Sequence, residues 1–215
     1  MVQMIRLKSH EEWLKHRERI GGSDAAAIVG MNPYKSNVEL WQIKTGQVVP
    51  EDISNKPYVK YGTEAEQYLR EMFKLDFPEY QVEYVDNNMF FNDKYPFAHA
   101  SLDGWRTDQD GRRGVWECKT TQIQHPGQKR KWDGRIPDNY YIQILHYLMV
   151  TEFDFVVLKA QLKYDFGENV FLHTKHYKIE RADVETDIRY LESAERDFWK
   201  QVQERKRPAL ILPEL

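Results

Sequence analysis

The sequence predicts one α/β (α+β) domain over residues 1–215, with a central mixed β-sheet flanked by α-helices. Three observations predict it. The chain has 215 residues, enough for one sizeable core. Its 41% hydrophobic and 30% charged residues are an ordinary globular mixture. The patterns also run in a telling order: capped helices, a cluster of short strands, a helix, a hairpin and a closing helix.

Each element has its own signal. Ser9 followed by Glu12 is a capping box, opening a helix to about Arg19 that Gly21 and Gly22 end. Ser23 is placed to cap a short helix over 24–29, stopped by Gly30 and Pro33. Ser36 and Glu39 form a second box, whose helix ends before Gly46. Residues 47–60 are polar and carry Pro50 and Pro57, which predicts a loop. Thr63 with Glu66 opens the next helix, with Ala65, Leu69, Met72 and Phe73 on its buried stripe. Strands are expected at 81–85, 89–92, 98–102 and 114–120, with a polar turn over 108–113. Residues 139–151 show helical spacing through Ile142, Leu145, His146 and Met149. The spans 153–164 and 170–179 read as a β-hairpin, 182–205 as a long amphipathic helix, and 208–215 as an apolar tail containing Pro213.

Composition excludes several classes. No apolar run approaches the ~18 residues of a membrane helix, and the start has no long apolar segment of the secretory kind. Cys118 is the single cysteine, which rules out an intrachain disulfide framework and fits a reducing cytoplasm. Net charge is −3, so either the chain does not bind nucleic acid or its positive charge is confined to a groove. Lys129, Arg130 and Lys131, with Arg135 behind them, form the one dense basic cluster; a solvated loop explains them equally well.

The chemistry centres on Ser101-Leu102-Asp103-Gly104 and on Glu117-Cys118-Lys119. Residues two apart on a strand share a face, so Glu117 and Lys119 point into one site. A neighbouring strand can bring Asp103 beside them. Converging carboxylates suit a hard divalent cation, and a nearby Lys can orient water or neutralise a phosphate, as in metal-assisted phosphodiester hydrolysis. Glu66 is a further candidate, though a capping partner of Thr63 explains it as well; Glu64 and Asp93 are weaker. Gln143 sits on a helix with Tyr147 on its side and can hold water or phosphate. His99 and His146 have no partner at zinc spacing and are expected to be satisfied core histidines. Arg19, Gly21, Gly22 and Ser23 together describe an anion pocket, while a tight packing joint accounts for the glycines equally well.

Taken together, Arg19 through Tyr34, Glu39-Leu40-Trp41, Lys44-Thr45-Gly46, Tyr61 through Glu66, Ser101 through Gly104, Glu117-Cys118-Lys119 and the Gln143 helix resemble the YqaJ-like viral recombinase (phage lambda exonuclease) family. The resemblance covers about residues 16–152. It implies the PD-(D/E)XK, restriction-endonuclease-like fold and a Mg²⁺-dependent 5′-to-3′ exonuclease that degrades one strand of linear double-stranded DNA. It also implies a 3′ overhang for a partner single-strand annealing protein in phage recombination, and a ring-shaped homo-oligomer, commonly a trimer. On it, Asp103, Glu117 and the Cys118 carbonyl are metal ligands, and Glu66 helps hold a second ion. Lys119 positions or activates the attacking water with support from Gln143, Arg19 and Ser23 bind the 5′-phosphate, and Lys129, Arg130 and Lys131 track phosphates. Tyr58 and Val59 stand where a wedge against the terminal base pair would be. Mn²⁺ suits the same oxygens. Leu102 departs from the family pattern, which has Pro there. The competing readings are an endonuclease of the same fold and a non-catalytic DNA-end-binding protein.

Overall fold

The computed structural model describes residues 1–166 and 168–212. The predicted tail therefore lies outside the described residues from 213 onward.

A short strand, β1 (Val2–Arg6), precedes helix α1 (His10–Lys15), which continues as a 3₁₀ turn, His16–Glu18. The Glu12 N–H donates to Ser9 Oγ (3.1 Å), as a capping box requires, but the Glu12 carboxylate takes the Lys8 N–H (2.6 Å). Helix α2 (Gly22–Ile28) starts one residue before Ser23: Gly21 is its N-cap and the Gly21 N–H donates to Asp24 Oδ2 (3.3 Å), so Ser23 lies in the first turn rather than at the cap. Helix α3 (Asn37–Lys44) follows, with the Glu39 N–H donating to Ser36 Oγ (3.1 Å).

Helix α4 (Pro57–Asp76) begins six residues before the expected Thr63. Pro57 takes the first helical position, where its missing N–H costs nothing, so the residue that argued for a loop opens the helix instead. Glu66 is thus mid-helix, and no capping role remains for it. Leu69 and Phe73 are buried as expected, whereas Met72 is exposed.

The strands are β2 (Gln81–Glu83), β3 (Asn88–Asn92), β4 (Gly104–Thr107) and β5 (Arg113–Ile123). Residues 98–102 form only single bridges, Ile20 with Ala98 and Phe90 with Ala100; the true strand starts just after Asp103. A short helix α5 (Pro126–Arg130) and helix α6 (Asp138–Thr151) lead to the hairpin β6 (Phe155–Phe166) and β7 (Asn169–Glu180), and helix α7 (Glu185–Gln203) closes the chain.

The main sheet has the order β2-β4-β5-β6-β7, with β5 and β6 parallel and the other pairs antiparallel; β1 and β3 form a separate pair. The parallel pair needs a crossover, which α5 and α6 supply. Alternation along β5 splits the core. Val115 and Ile123 face the large cluster built with α2, α6 and α7, and Trp116 and Cys118 face Leu69 and Phe73 of α4. Among the described residues no helix is long and apolar enough to cross a membrane.

Candidate active site

The β4–β5 ladder pairs Gly104 with Trp116, and this register sets Asp103 beside Glu117 at the point where β4 begins. Beyond Trp116, β5 is paired only with β6. The Cys118 N–H on that open edge donates to Asp103 Oδ2 (3.0 Å). An extended residue directs its N–H and C=O to the same edge, so the Cys118 carbonyl faces the same opening while its side chain lies in the α4 layer.

Glu117 and Lys119 share the other face of β5. Lys119 Nζ donates to Glu117 Oε1 at 2.5 Å, and Gln143 Nε2 on α6 donates to the same oxygen at 3.2 Å and to the Tyr147 hydroxyl at 2.6 Å. Glu66 approaches from α4. Its Oε1 accepts from Arg70 Nη1 (3.1 Å), and the same nitrogen donates to the Asp103 carbonyl (2.6 Å). Arg70 was not singled out in the sequence, although its spacing from Glu66 is that of an i,i+4 ion pair.

Electrostatics mark the site as short of positive charge. Burial first, and then the Asp103 charge, push Glu117 up to about 8. Burial and Asp103 likewise push Glu66 up to about 7, against the pull of Arg70. Lys119 is held well above its ordinary value; burial opposes this but Glu117 and Asp103 outweigh it. Glu117 Oε2 is buried with no hydrogen-bond partner. Such an orphan is costly unless something outside the chain pairs with it. All the available donors are oxygens, the preference of Mg²⁺ and Mn²⁺. A hard divalent cation therefore fits. Among the described residues no three His, Cys, Asp or Glu side chains group to hold a metal; the set that fits is Asp103, Glu117 and the Cys118 carbonyl, with Glu66 alongside.

The proposed anion pocket is rearranged. Arg19 lies over the Phe91 ring (4.8 Å). Arg17 instead reaches Ser23, its Nη2 donating to Oγ at 3.5 Å, with its guanidinium over Trp13 (4.6 Å). The glycines are a packing joint: a Cβ on Gly22 would come within 2.5 Å of Tyr147 Cε1, and one on Gly21 within 3.1 Å of His99. Lys44 Nζ stitches the segment together, donating to the Arg17 and Arg19 carbonyls (3.1 and 2.7 Å) and pairing with Asp24 (2.8 Å).

Other candidates lie elsewhere. Lys129, Arg130 and Lys131 are exposed on and just after α5, beyond the far end of β5. Asp93 pairs with the N-terminal ammonium (2.9 Å), Glu64 is exposed, and Tyr58 is exposed on the first turn of α4. His146 is a satisfied core residue between Glu195 (2.7 Å) and the His99 carbonyl (2.8 Å), whereas His99 is buried but, against expectation, its Nδ1 has no hydrogen-bond partner.

A family model, the YqaJ-like viral recombinase domain, matches residues 12–154. The uncharacterized protein YqaJ of Bacillus subtilis (strain 168) is 33% identical over 194 residues, which is 89% of this chain but 56% of that protein, so the chain spans little more than half its relative's length. Among solved structures, an alkaline exonuclease (LHK-Exo) from Laribacter hongkongensis superposes with a TM-score of 0.62 at 17% identity, covering 92% of this chain and 96% of its own. A phage related exonuclease from Haemophilus somnus 129PT gives a TM-score of 0.54 at 13% identity, covering 87% and 96%. At these identities the likeness is one of fold, and it places the mixed sheet and its helices in the nuclease fold of those enzymes.

Proposed function

The chain belongs to the YqaJ-like viral recombinase family, and from that membership and the site we propose that it is a Mg²⁺-dependent exonuclease acting on linear double-stranded DNA. It removes the 5′-ended strand and leaves a 3′ overhang for a single-strand annealing protein. Copies of the chain gather around the duplex. The observation that carries this reading is the meeting of Asp103, Glu117 and Lys119 at the open edge of β5, with Gln143 bound to Glu117.

Asp103, Glu117 and the Cys118 carbonyl would hold a divalent cation, with Glu66 beside a second, and such ions would supply Lewis-acid polarisation and neutralise phosphate charge. The chain's own groups do the positioning. Glu117 fixes the Lys119 ammonium, which presents positive charge and N–H donors where a phosphate oxygen gains charge. Gln143 spends Nε2 on Glu117 and Tyr147, so its carbonyl oxygen is the group able to orient a water by accepting a hydrogen bond from it. Arg70 holds Glu66 and the Asp103 backbone together, which keeps α4 registered on the sheet. Arg17, on the 3₁₀ turn that follows α1, and Ser23, in the first turn of α2, serve the terminal 5′-phosphate.

The test is digestion of end-labelled linear duplex with and without EDTA, beside a covalently closed circle. Loss of label from the 5′ ends, abolished by EDTA, with the circle intact, is the expected result. A cut circle would make the chain an endonuclease, and EDTA-resistant digestion would remove the metal from the account.

A further inference from the structure

A groove of about 570 Å³ lies away from the carboxylates, between α5 and the β6–β7 hairpin. Lys129, Asp133, Tyr164, Phe171, His173 and Lys175 line it. Its position follows from strand register. Lys119 is level with Ala160 and Ile123 with Tyr164, while Ala160, Leu162 and Tyr164 are level with Lys175, His173 and Phe171. Partners across a ladder project to the same face. The Tyr164, Phe171, His173 and Lys175 side of the groove is therefore on the sheet face that carries Glu117 and Lys119, while Leu172, which also lines it, alternates to the other face at the edge strand. Four residues along a strand separate Lys119 from the level of Tyr164, about 13 Å. A nucleic-acid strand covers that in about four nucleotides at duplex spacing, fewer when extended.

The lining has a definite chemistry. Lys175 and the one acid, Asp133, form an ion pair (2.8 Å) that cancels within the lining. This leaves Lys129 as its net positive charge, with exposed Arg130 and Lys131 adjoining. Two aromatic rings stand among these charges, and Phe171 is 58% exposed. Rings that stack on bases, set among cations that follow phosphates, are how single-stranded nucleic acid is held without regard to sequence. A duplex offers no base faces to such rings, and an apolar peptide has no use for the lysines.

We propose that this groove binds single-stranded DNA, holding the strand a few nucleotides from the cleavage site. The proposal rests on the nuclease reading for the origin of that strand. The experiment is fluorescence anisotropy of a labelled oligothymidylate of about 15 nucleotides with the full chain in EDTA, so that nothing is cut. Phe171→Leu keeps the apolar bulk and removes the ring; it should weaken binding about tenfold, and Phe171→Tyr should restore it. Lys129→Gln should lower the dependence of log affinity on log salt by about one phosphate contact. Circular dichroism confirms that each variant is folded. Unaltered affinity in Phe171→Leu and Lys129→Gln overturns the groove, as does a change in molecular mass by light scattering with affinity unaltered, which would make this face a protein contact. The nuclease reading is tested separately on the unmutated chain. A chain that binds oligothymidylate through Phe171 yet digests no linear duplex keeps the groove and loses the exonuclease.

Discussion

Single side chains decide the chemistry. Lys119 is locked to Glu117 at 2.5 Å, so Lys119→Ala removes both the charge and the anchor for the neighbouring carboxylate. Cleavage of linear duplex should fall roughly 10²- to 10⁴-fold with DNA binding largely retained, measured by single-turnover digestion beside a filter-binding assay. Glu117→Gln tests the cation. Binding to the folded state alone raises the melting point, so saturating Mg²⁺ should lift the native protein by roughly 2–6 °C. Glu117→Gln should show little of that rise by calorimetry. An equal shift in both would place the ion elsewhere. At this scale the sequence was legible wherever a period governs: two-residue spacing put Glu117 and Lys119 on one face. It was silent where geometry alone decides. Arg17 and Arg19 are chemically alike, and only the turn after α1 sends one to Ser23 and the other to Phe91. Accordingly Arg17→Ala should reduce the preference for 5′-phosphorylated over 5′-hydroxyl ends several-fold, and Arg19→Ala should change it less. The reverse order of effects would return the phosphate to Arg19.

Elements set how tightly that chemistry is held. Helix α2 reaches α6 only because Gly22 has no side chain. A methyl there would meet the Tyr147 ring at 2.5 Å and Gln143 Cγ at 3.1 Å. Gly22→Ala should cost about 1–3 kcal/mol in denaturant unfolding through overpacking. It should also slow cleavage, because the ring it displaces holds Gln143 against Glu117. Wild-type rates in a destabilised Gly22→Ala would separate the joint from the site. Helices with a capping side chain were read well: Ser9 and Ser36 mark their starts within a residue. The start of α4 was missed because Pro57 signals either a loop or a first turn, and only tertiary contacts choose. One such contact is the Tyr61 hydroxyl donating to Gln161 (2.9 Å). Strand β4 begins at Gly104, beyond the expected strand at 98–102. The apolar run 98–102 is buried against α2 and β3 without a ladder, and hydrophobicity does not tell a buried extended segment from a paired strand.

On the scale of the whole molecule, the sequence of patterned elements gave the mixed sheet and its helical layers because each pattern has one way to bury its apolar face. It could not give the polar pairs between helices: buried Asp24 on α2 with Lys44 on α3, and buried His146 on α6 with buried Glu195 on α7. Next to His146, His99 is held down to about 3, first by burial and then by the His146 charge. A histidine depressed below its unfolded value near 6.5 binds fewer protons folded than unfolded. Its stabilising effect is complete above about 6.5 and is lost as pH falls from there toward 3. Glu66 and Glu117, held above the ordinary carboxylate range by burial, act in the opposite sense over the same window. The part due to His99 is therefore read as the difference between two chemical-denaturation series: from pH 7.5 to 4.5 the native protein should lose a few kcal/mol relative to His99→Gln. No difference between the two series would assign the acid sensitivity to other groups.

The open edge of β5 beyond Trp116 has a further consequence. Exposed ladder positions invite a stranger's chain to add on, and folded proteins commonly deter this with charge. Here the Asp103 carboxylate occupies the Cys118 amide, and Glu66 stands near enough to repel it. The acids gathered at this edge would therefore also deter strand addition there, and Asp103→Ala would leave the Cys118 amide without that partner.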